Sequence, residues 1–273
     1  MNYQTLELTL ADQVATVTLN RPDVFNAFNE IVIKELEECV HELGGHTELR
    51  VIVLAARGKC FSAGADLDWM KRMGGLSYQA NFDDAYRLAT MLHTVDNSTK
   101  PIIARVQGDA YGGGVGLMAA SDIVVADESA RFSLSEVKIG LIPATISPYV
   151  IRAIGVRAAR RYFLTAERFT AAEAHRIGLV HEVVAADLLD STVHSIIVAI
   201  SQNGPSAVPK TKQLIRDIDG RVLSEEILAD TAKRIAQVRA SEEAREGVRA
   251  FLEKRPPPWR KKPPDSGDQR PGS

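Results

Sequence analysis

The chain contains 273 residues with a mass of 29.8 kDa, which is more than a single binding module and slightly less than two average domains. Hydrophobic residues account for 45% and charged residues for 25% of the chain, a globular composition that excludes a fibrous or disordered bulk. Lys and Arg total 33 against 35 Asp and Glu, giving a net charge of −2. Because nucleic-acid and anionic-membrane binding require a clustered basic surplus, we expect neither partner.

The cysteines and the N-terminal sequence predict a cytoplasmic protein. Cys39 and Cys60 are too few for a disulfide framework and have no partner at Cys-x-x-Cys spacing, so we expect reduced thiols. The first residues lack the basic and apolar regions of a signal peptide. No apolar run approaches the ~20 residues that span a bilayer, so we expect no membrane association.

Strands and helices alternate in the first part of the chain. Residues 4–10 and 13–19 alternate apolar and polar side chains and predict a β-hairpin. Apolar residues then recur at helical spacing from Phe28 to Leu43, before a pair of glycines. The run 51–55 is apolar throughout, as in a strand covered on both faces.

The same pattern recurs further along the chain. A helix over about 80–97 precedes a buried strand at 102–106, and a glycine cluster leads into a short helix at 114–120. Strands follow at 123–126 and 131–134. Repeated strand–helix–strand units predict an α/β core with right-handed crossovers.

Beyond residue 145 the pattern becomes helical, with one expected strand at 179–184. The expected helices cover about 147–154, 156–165, 170–176, 188–202, 206–218, 224–239 and 242–253. We therefore predict an α/β catalytic core at 1–200, a helical segment at 201–255 and a tail at 256–273. The tail holds 6 of the 12 prolines and is expected to be largely disordered.

Several cofactor and nucleophile motifs are absent from the sequence. The glycine-rich run at 112–116 does not fit Gly-x-Gly-x-x-Gly, and there is no phosphate-loop motif. The six histidines form no His-Glu-x-x-His pattern, and no serine stands in a Gly-x-Ser-x-Gly turn. We expect neither a metal nor a separate cofactor.

Two segments place backbone N–H groups where ligands bind in α/β proteins. Residues 61–67 follow the strand at 51–55, and residues 110–114 follow the strand at 102–106. Ligand sites favour the carboxyl ends of strands, and two N–H donors aimed at one point would form an oxyanion hole, aided by the field of a helix N-terminus. A tight turn or close backbone packing is the alternative for the glycines.

Glu136 is the candidate acid–base group. It lies 23 residues beyond Gly113 in a largely apolar stretch at 132–143. Partial burial there would raise the pKa of its carboxyl and suit it to proton transfer. Helix capping is the structural alternative for this residue.

Four ordered motifs resemble one known family. They are NRPDVFNAF at 20–28, CFSAGADLDWM at 60–70, GDAYGGGVGL at 108–117 and FSLSEVKIGLIP at 132–143. Over residues 3–255 the sequence resembles the crotonase, or enoyl-CoA hydratase/isomerase, superfamily. The resemblance implies a crotonase-like spiral of ββα units, C-terminal helices used in trimerisation and an acyl-CoA substrate. The expected assembly is a homotrimer or a homohexamer.

The same resemblance implies roles for individual residues. The amides of Ala65 and Gly113 would bind the thioester carbonyl, with Gly112 and Trp69 beside the substrate and Glu136 as the catalytic carboxylate. Core packing is the alternative for Trp69. The residues expected to contact CoA are Ala63, Asp66 and Leu67 near the adenine, Arg21, Val24 and Ala27 near the pantetheine and phosphates, and Phe251 and Lys254 from a neighbouring subunit. Coenzyme A is part of the substrate, so no separate cofactor is implied.

One position departs from the family pattern. Typical hydratases use two glutamates, and the first, twenty positions before Glu136, falls on Gly116. A single glutamate is found in some hydratases and in isomerases that shift a double bond between C3 and C2. The motifs DLDWM, AYGGGVGL and LSEVKIGLIPATISPYVIRAIG resemble bacterial methylglutaconyl-CoA hydratase-type proteins, which also carry glycine there. We therefore predict hydration of an enoyl-CoA, with a branched, carboxylated acyl group as the specific hypothesis and Gly116 making room beside it.

Two alternative functions remain. One is a Δ3-Δ2-enoyl-CoA isomerase that uses the same glutamate. The other is a CoA-binding or RNA-binding relative with little catalysis. The near-neutral charge argues against RNA, and Glu136 with both oxyanion positions argues against loss of catalysis.

Overall fold

The structure is a computed structural model that describes residues 3–260. Within this range the strands are β1 (Leu6–Ala11), β2 (Val14–Leu19), β3 (Val51–Ala56), β4 (Cys60–Ser62), β5 (Ile102–Val106), β6 (Asp109–Tyr111), β7 (Ile123–Asp127), β8 (Arg131–Ser133), β9 (Phe169–Thr170) and β10 (Glu182–Val184). The helices are α1 (Glu30–Gly45), α2 (Leu67–Met73), α3 (Tyr78–Asn97), α4 (Gly113–Ala120), α5 (Ser147–Thr165), α6 (Ala171–Arg176), α7 (Leu189–Ser201), α8 (Ala207–Ile218), α9 (Glu225–Arg239) and α10 (Glu242–Leu252).

The larger sheet has the strand order β1-β2-β3-β5-β7-β10. β1 and β2 form the expected antiparallel hairpin. Its turn residues Asp12 and Gln13 both have positive φ, as in the type I′ turns that match strand twist. The other neighbouring strands pair in parallel. Every residue of β3 is buried, which accounts for its uninterrupted apolar sequence.

The smaller sheet has the order β4-β6-β8-β9. β4, β6 and β8 run parallel, whereas β9 pairs antiparallel with β8. The sequence does not predict β4, β6 or β9, because strands of two or three residues are too short to show an alternation. β9 also corrects the expectation that 179–184 is the single strand beyond residue 145.

Helix α5 covers both helical stretches expected at 147–154 and 156–165. It is interrupted at Gly155, where φ is +72° and ψ is 159°. This conformation is essentially restricted to glycine, so two helical segments meet at a kink at Gly155, in agreement with the two predicted stretches. None of the helices in residues 3–260 combines the length and apolar character needed to cross a bilayer.

The chain divides inside α7, between Ile196 and Ile197, into two compact units. The first unit contains both sheets and the hydrophobic core, whose largest fully buried side chains include Phe28, Phe61 and Phe132. Cys39 and Cys60 are buried free thiols in this unit. The second unit contains α8, α9 and α10. The catalytic and oligomerisation roles of the two parts stay predictions.

Part of the proline-rich end is described by the structure. Trp259 lies against α10, because a Cβ placed on Gly247 would be 3.1 Å from Cη2 of the indole. The missing side chain at Gly247 therefore lets the ring approach the helix backbone. The rest of the predicted tail, 261–273, lies outside the described residues.

Candidate active site

Three parallel strands of the smaller sheet end at the predicted site. β4, β6 and β8 are neighbours with the same direction, so the segments that follow them emerge at one edge. Gly64 and Ala65 follow β4, Gly112 and Gly113 follow β6, and Glu136 follows β8. The sheet therefore brings together groups that are far apart in the sequence.

Because Gly64 and Gly114 have no side chains, the segment that follows β4 can contact the segment that follows β6. Gly64 has a φ of +85°, and a Cβ placed on it would lie 2.8 Å from the carbonyl oxygen of Tyr111 and 3.6 Å from the amide nitrogen of Gly113. A Cβ on Gly114 would lie 2.8 Å from the Cβ of Ser62. Glycine is required at both positions because any side chain would force the two backbones apart.

The amides of Ala65 and Gly113 have no hydrogen-bond acceptor among residues 3–260. Ala65 forms an isolated parallel bridge with Phe28. The N–H of Phe28 donates to the carbonyl of Gly64 at 2.6 Å, and the N–H of Asp66 donates to the carbonyl of Phe28 at 2.9 Å. This bridge leaves the N–H of Ala65 unused. Gly113 is the first residue of α4, and first-turn amides have no intrahelical partner. Together these donors have the character of an oxyanion hole, because they favour an oxygen that gains negative charge.

Glu136 places its carboxyl against the second glycine segment. It begins the 3₁₀ turn Glu136–Ile139, and a Cβ on Gly112 would lie 3.1 Å from its Oε1 atom. Within the described part of the chain, the buried Oε2 has no hydrogen-bond partner. Burial raises the pKa of the Glu136 carboxyl, and the backbone N–H of the same residue opposes this more weakly. The carboxyl therefore lies against the residue that precedes Gly113, with one oxygen free to exchange a proton.

This arrangement supplies two requirements of enolate chemistry. Two fixed donors would stabilise a developing oxyanion, and one carboxyl would move protons at the neighbouring carbon. In the part of the chain that the structure describes, no three His, Cys, Asp or Glu side chains are grouped so as to hold a metal ion.

The expectation that Gly116 makes room for an acyl group is wrong in this structure. A Cβ placed on Gly116 would lie 2.2 Å from Cγ2 of Ile146, and Ile146 itself is only 2% exposed. The space beside Gly116 is thus filled by Ile146. A direct contact of Gly116 with substrate stays a prediction.

Arg21 and Asp66, both expected near CoA, form an ion pair with each other. Nη2 of Arg21 is 3.0 Å from Oδ2 of Asp66, and Nη1 donates to the carbonyl oxygen of buried Ala27 at 2.6 Å. Oδ1 of Asp66 caps α2 by accepting the N–H groups of Asp68 and Trp69. Burial would raise the pKa of Asp66, but the hydrogen bonds from Trp69, Arg21 and Asp68 outweigh burial and lower it. The pair joins the Arg21 loop to α2, and its contact with CoA stays a prediction.

The remaining predicted contact residues of this unit differ in exposure. Val24 and Leu67 are exposed apolar side chains near the ion pair in sequence, and Ala63 is half-buried. Trp69 is buried in the core, and its Nε1 donates to Asp84 of α3 at 3.1 Å. Trp69 therefore links α2 to α3, in agreement with the packing alternative.

Phe251 and Lys254 lie in the C-terminal unit. Phe251 is 81% exposed on α10, and Lys254 follows the helix with a φ of +53°. Their expected contact with the CoA of a neighbouring subunit stays a prediction.

Asn26 and Ile146 are not among the residues predicted for the site. Asn26 is buried, and its Nδ2 donates to the carbonyls of Arg57 and Cys60, both at 2.8 Å. Its Oδ1 accepts the N–H of Arg21 at 2.9 Å. An amide side chain among apolar neighbours in the first motif is a signal for such a buried anchor. Ile146 has no comparable signal, because its importance depends on packing against α4.

A family model described as Enoyl-CoA hydratase/isomerase matches residues 9–262. The chain belongs to this family. The superfamily and the enzyme class predicted from the motifs, a hydro-lyase of the enoyl-CoA hydratase/isomerase family, are therefore confirmed.

Individual members of the enoyl-CoA hydratase/isomerase family resemble the chain over nearly its whole length. A Thermus thermophilus protein named "Putative enoyl-CoA hydratase" is 36% identical over 245 residues, which are 89% of this chain and 96% of the relative. The short-chain-enoyl-CoA hydratase of Clostridium acetobutylicum is 33% identical over 265 residues, which are 93% and 97% of the two chains. The crystal structure of an enoyl-CoA hydratase from Shewanella pealeana is 44% identical, with a TM-score of 0.91 over 94% of this chain and 96% of that one. The predicted fold is confirmed.

Proposed function

We propose that this chain is an enoyl-CoA hydratase that adds water across the 2,3 double bond of an acyl-CoA thioester. The observation that carries the proposal is the position of Glu136 beside the unpaired amides of Ala65 and Gly113. A thioester carbonyl held by the two amides would bring C2 and C3 of the acyl group next to the carboxyl.

The two amides act on charge that develops during the reaction. Bonding of water to C3 moves an electron pair from the double bond toward the thioester and creates an enolate. The enolate oxygen accepts hydrogen bonds from donors that are already in place. Loss of one such donor typically costs about 2.7–4 kcal/mol of transition-state stabilisation.

Glu136 handles the protons in this proposal. The ionised carboxyl takes a proton from water as the water oxygen bonds to C3, and it then delivers a proton to C2 as the enolate collapses. One O–H bond of water and the C2–C3 π bond break, one C–O and one C–H bond form, and Glu136 returns to its starting state. Partial burial supports both roles, because a raised pKa brings the acid and base forms closer in free energy at neutral pH.

Isomerisation is the second candidate reaction, favoured by the glycine at position 116. One carboxylate is sufficient to remove a proton from C2 of a 3-enoyl thioester and return a proton to C4. The same two amides would hold the enolate oxygen during this transfer. The assay therefore has to include both 2-enoyl and 3-enoyl thioesters.

For the acyl group we propose a branched, carboxylated 2-enoyl thioester of the methylglutaconyl type. The support is the resemblance of the motifs at 66–70, 110–117 and 134–155. The proposed assembly is a homotrimer or homohexamer, supported by the exposed apolar side chains of Val248 and Phe251 on α10. Apolar side chains on one helix face need a surface that covers them.

Replacing Glu136 tests the proposed acid–base role. Glu136→Ala is expected to reduce the rate of loss of enoyl absorbance by about 10²–10⁴-fold while acyl-CoA binding, measured by calorimetry, is retained. Glu128→Ala, which changes an exposed glutamate at the end of β7, is the matched control. Unchanged turnover in Glu136→Ala would remove Glu136 as the acid–base group.

A substrate panel separates the candidate reactions. We expect mass spectrometry to show addition of water to methylglutaconyl-CoA. We expect the turnover of linear 2-enoyl-CoA to be lower than that of methylglutaconyl-CoA. Turnover of 3-enoyl-CoA alone would establish the isomerase. Hydration of linear substrates alone would refute the branched acyl group, and binding without turnover of any substrate would refute the hydratase.

A further inference from the structure

Ile146 lies inside the motif at 134–155, but the motif predicted no role for it. It directly precedes α5, is 2% exposed, and its side chain faces the backbone of Gly116 in α4. A Cβ on Gly116 would lie 2.2 Å from Cγ2 and 2.8 Å from Cβ of Ile146, but 3.7 Å from its Cα. A side chain at position 116 is therefore incompatible with any residue at 146 that carries a Cβ, unless the backbone shifts.

Ile146 and the Glu136 carboxyl lie against consecutive turns of α4. The N–H of Gly116 donates to the carbonyl of Gly112 at 3.1 Å, so the two glycines stand one helical turn apart. The Glu136 carboxyl lies against Gly112, and the Ile146 side chain lies against Gly116. Helix α5 also packs against both α4 and the 3₁₀ turn that contains Glu136.

We propose that Ile146 is a positioning residue for the reaction at Glu136. Its side chain excludes both a second carboxylate and water from the side of the site next to Gly116. This inference rests on the proposed function. Side chains of a helix point toward its N-terminus, so a glutamate at 116 would extend toward Gly112 and the Glu136 carboxyl. Ile146 fills that path with hydrocarbon.

The chemical consequence concerns the environment of Glu136. Ile146 places hydrocarbon one helical turn along α4 from the Glu136 carboxyl. Hydrocarbon near a carboxyl disfavours its ionised form, because water cannot solvate the charge from that side. Ile146 thus helps to keep the single carboxyl ready to accept and return a proton. Truncation of Ile146 would admit water and favour the ionised form.

The pH dependence of kcat/KM tests this role. Ile146→Ala is expected to move the limb assigned to Glu136 to lower pH by about one unit. Ile154→Ala removes the same atoms from a buried isoleucine of α5 and is expected to lower stability without moving the limb. An unmoved limb in Ile146→Ala, or an equal shift in both variants, would overturn the proposal. If Ile146→Ala fails to fold, Ile146→Val is expected to give a smaller shift in the same direction, and no shift would overturn the proposal.

Thermal unfolding provides a second test that needs no turnover. Gly116→Ala is compared in the wild-type, Ile146→Ala and Ile146→Gly backgrounds. The loss of Tm from Gly116→Ala is expected to be largest with isoleucine, smaller with alanine and smallest with glycine, because the nearest contacts become 2.2, 2.8 and 3.7 Å. Glycine is well tolerated at a helix N-cap. An equal loss in all three backgrounds would refute the steric exclusion, whereas an inactive wild type would refute the hydratase and leave this comparison readable.

Discussion

Gly64→Ala tests the oxyanion site through a single methyl group. Gly64 has a φ of +85°, and the added Cβ would lie 2.8 Å from the carbonyl oxygen of Tyr111 and 3.4 Å from its carbonyl carbon. Both are backbone atoms, so rotation of a side chain cannot relieve the contact. The Gly64 segment has to move, and it carries the amide of Ala65 away from that of Gly113.

Two costs follow from this displacement. A left-handed conformation costs a residue other than glycine roughly 1–2 kcal/mol. Misplacing one oxyanion donor is expected to cost a further ~2.7–4 kcal/mol in the transition state, or about 10²–10³-fold in kcat. Gly220→Ala is the matched control, because Gly220 has a φ of +70° but a Cβ there would meet no atom within 4 Å.

The assay combines steady-state hydration kinetics with thermal unfolding of both variants. We expect Gly220→Ala to lower Tm by about 2–8 °C, from its conformational cost alone, and to keep the wild-type kcat. Gly64→Ala should lower Tm further and reduce kcat by about 10²–10³-fold. A Gly64→Ala variant with wild-type kcat and a Tm no lower than the control would refute the reasoning.

Three further predictions concern charge and assembly. Glu136→Gln is expected to raise Tm at alkaline but not at acidic pH. Folding raises the pKa of the Glu136 carboxyl, so the stability that this group contributes is lost as the pH rises through its folded pKa. Equal Tm values for variant and wild type at alkaline pH would contradict this. Asp66→Asn should lower the free energy of unfolding by up to about 1 kcal/mol through loss of the Arg21 pair. This loss of unfolding free energy should be complete above about pH 3.9, the pKa of Asp66 in the unfolded chain, and should fade as the pH falls through the lower pKa of Asp66 in the folded protein. Chemical unfolding at a series of pH values measures it. Phe251→Glu should reduce the assembled mass in sedimentation to that of the monomer, whereas truncation after Lys262 should leave assembly and turnover intact; the opposite result in either variant would contradict the assigned roles.

The sequence could predict those parts of the site in which a chemically suitable segment directly follows a strand. The glycine segments and Glu136 each follow a strand, and parallel strands expose such segments at one edge. The strands that perform this alignment, β4 and β6, have only three residues each, which is too short for a hydrophobic period. The meeting of these segments at one edge was therefore predictable even though the short strands themselves were not.

Packing across the fold could not be predicted in the same way. Ile146 reaches Gly116 from 30 positions away, and one chain contains no pattern that reports such a contact. Trp69 was ambiguous because an amphipathic stretch is compatible with either a pocket wall or a core. Its burial in the hydrophobic core agrees with packing, and a contact with substrate stays a prediction.

The two proposed donors are main-chain groups, and this limits which mutations can remove them. An alanine scan would record nothing at Ala65, which is already alanine. At Gly113 it would mainly report the new methyl group, whose carbon would lie 3.1 Å from the Phe28 ring. Replacement of the surrounding side chains would therefore leave both proposed donors in the chain. Amide-to-ester exchange at Ala65 by semisynthesis would delete one donor while leaving every side chain unchanged.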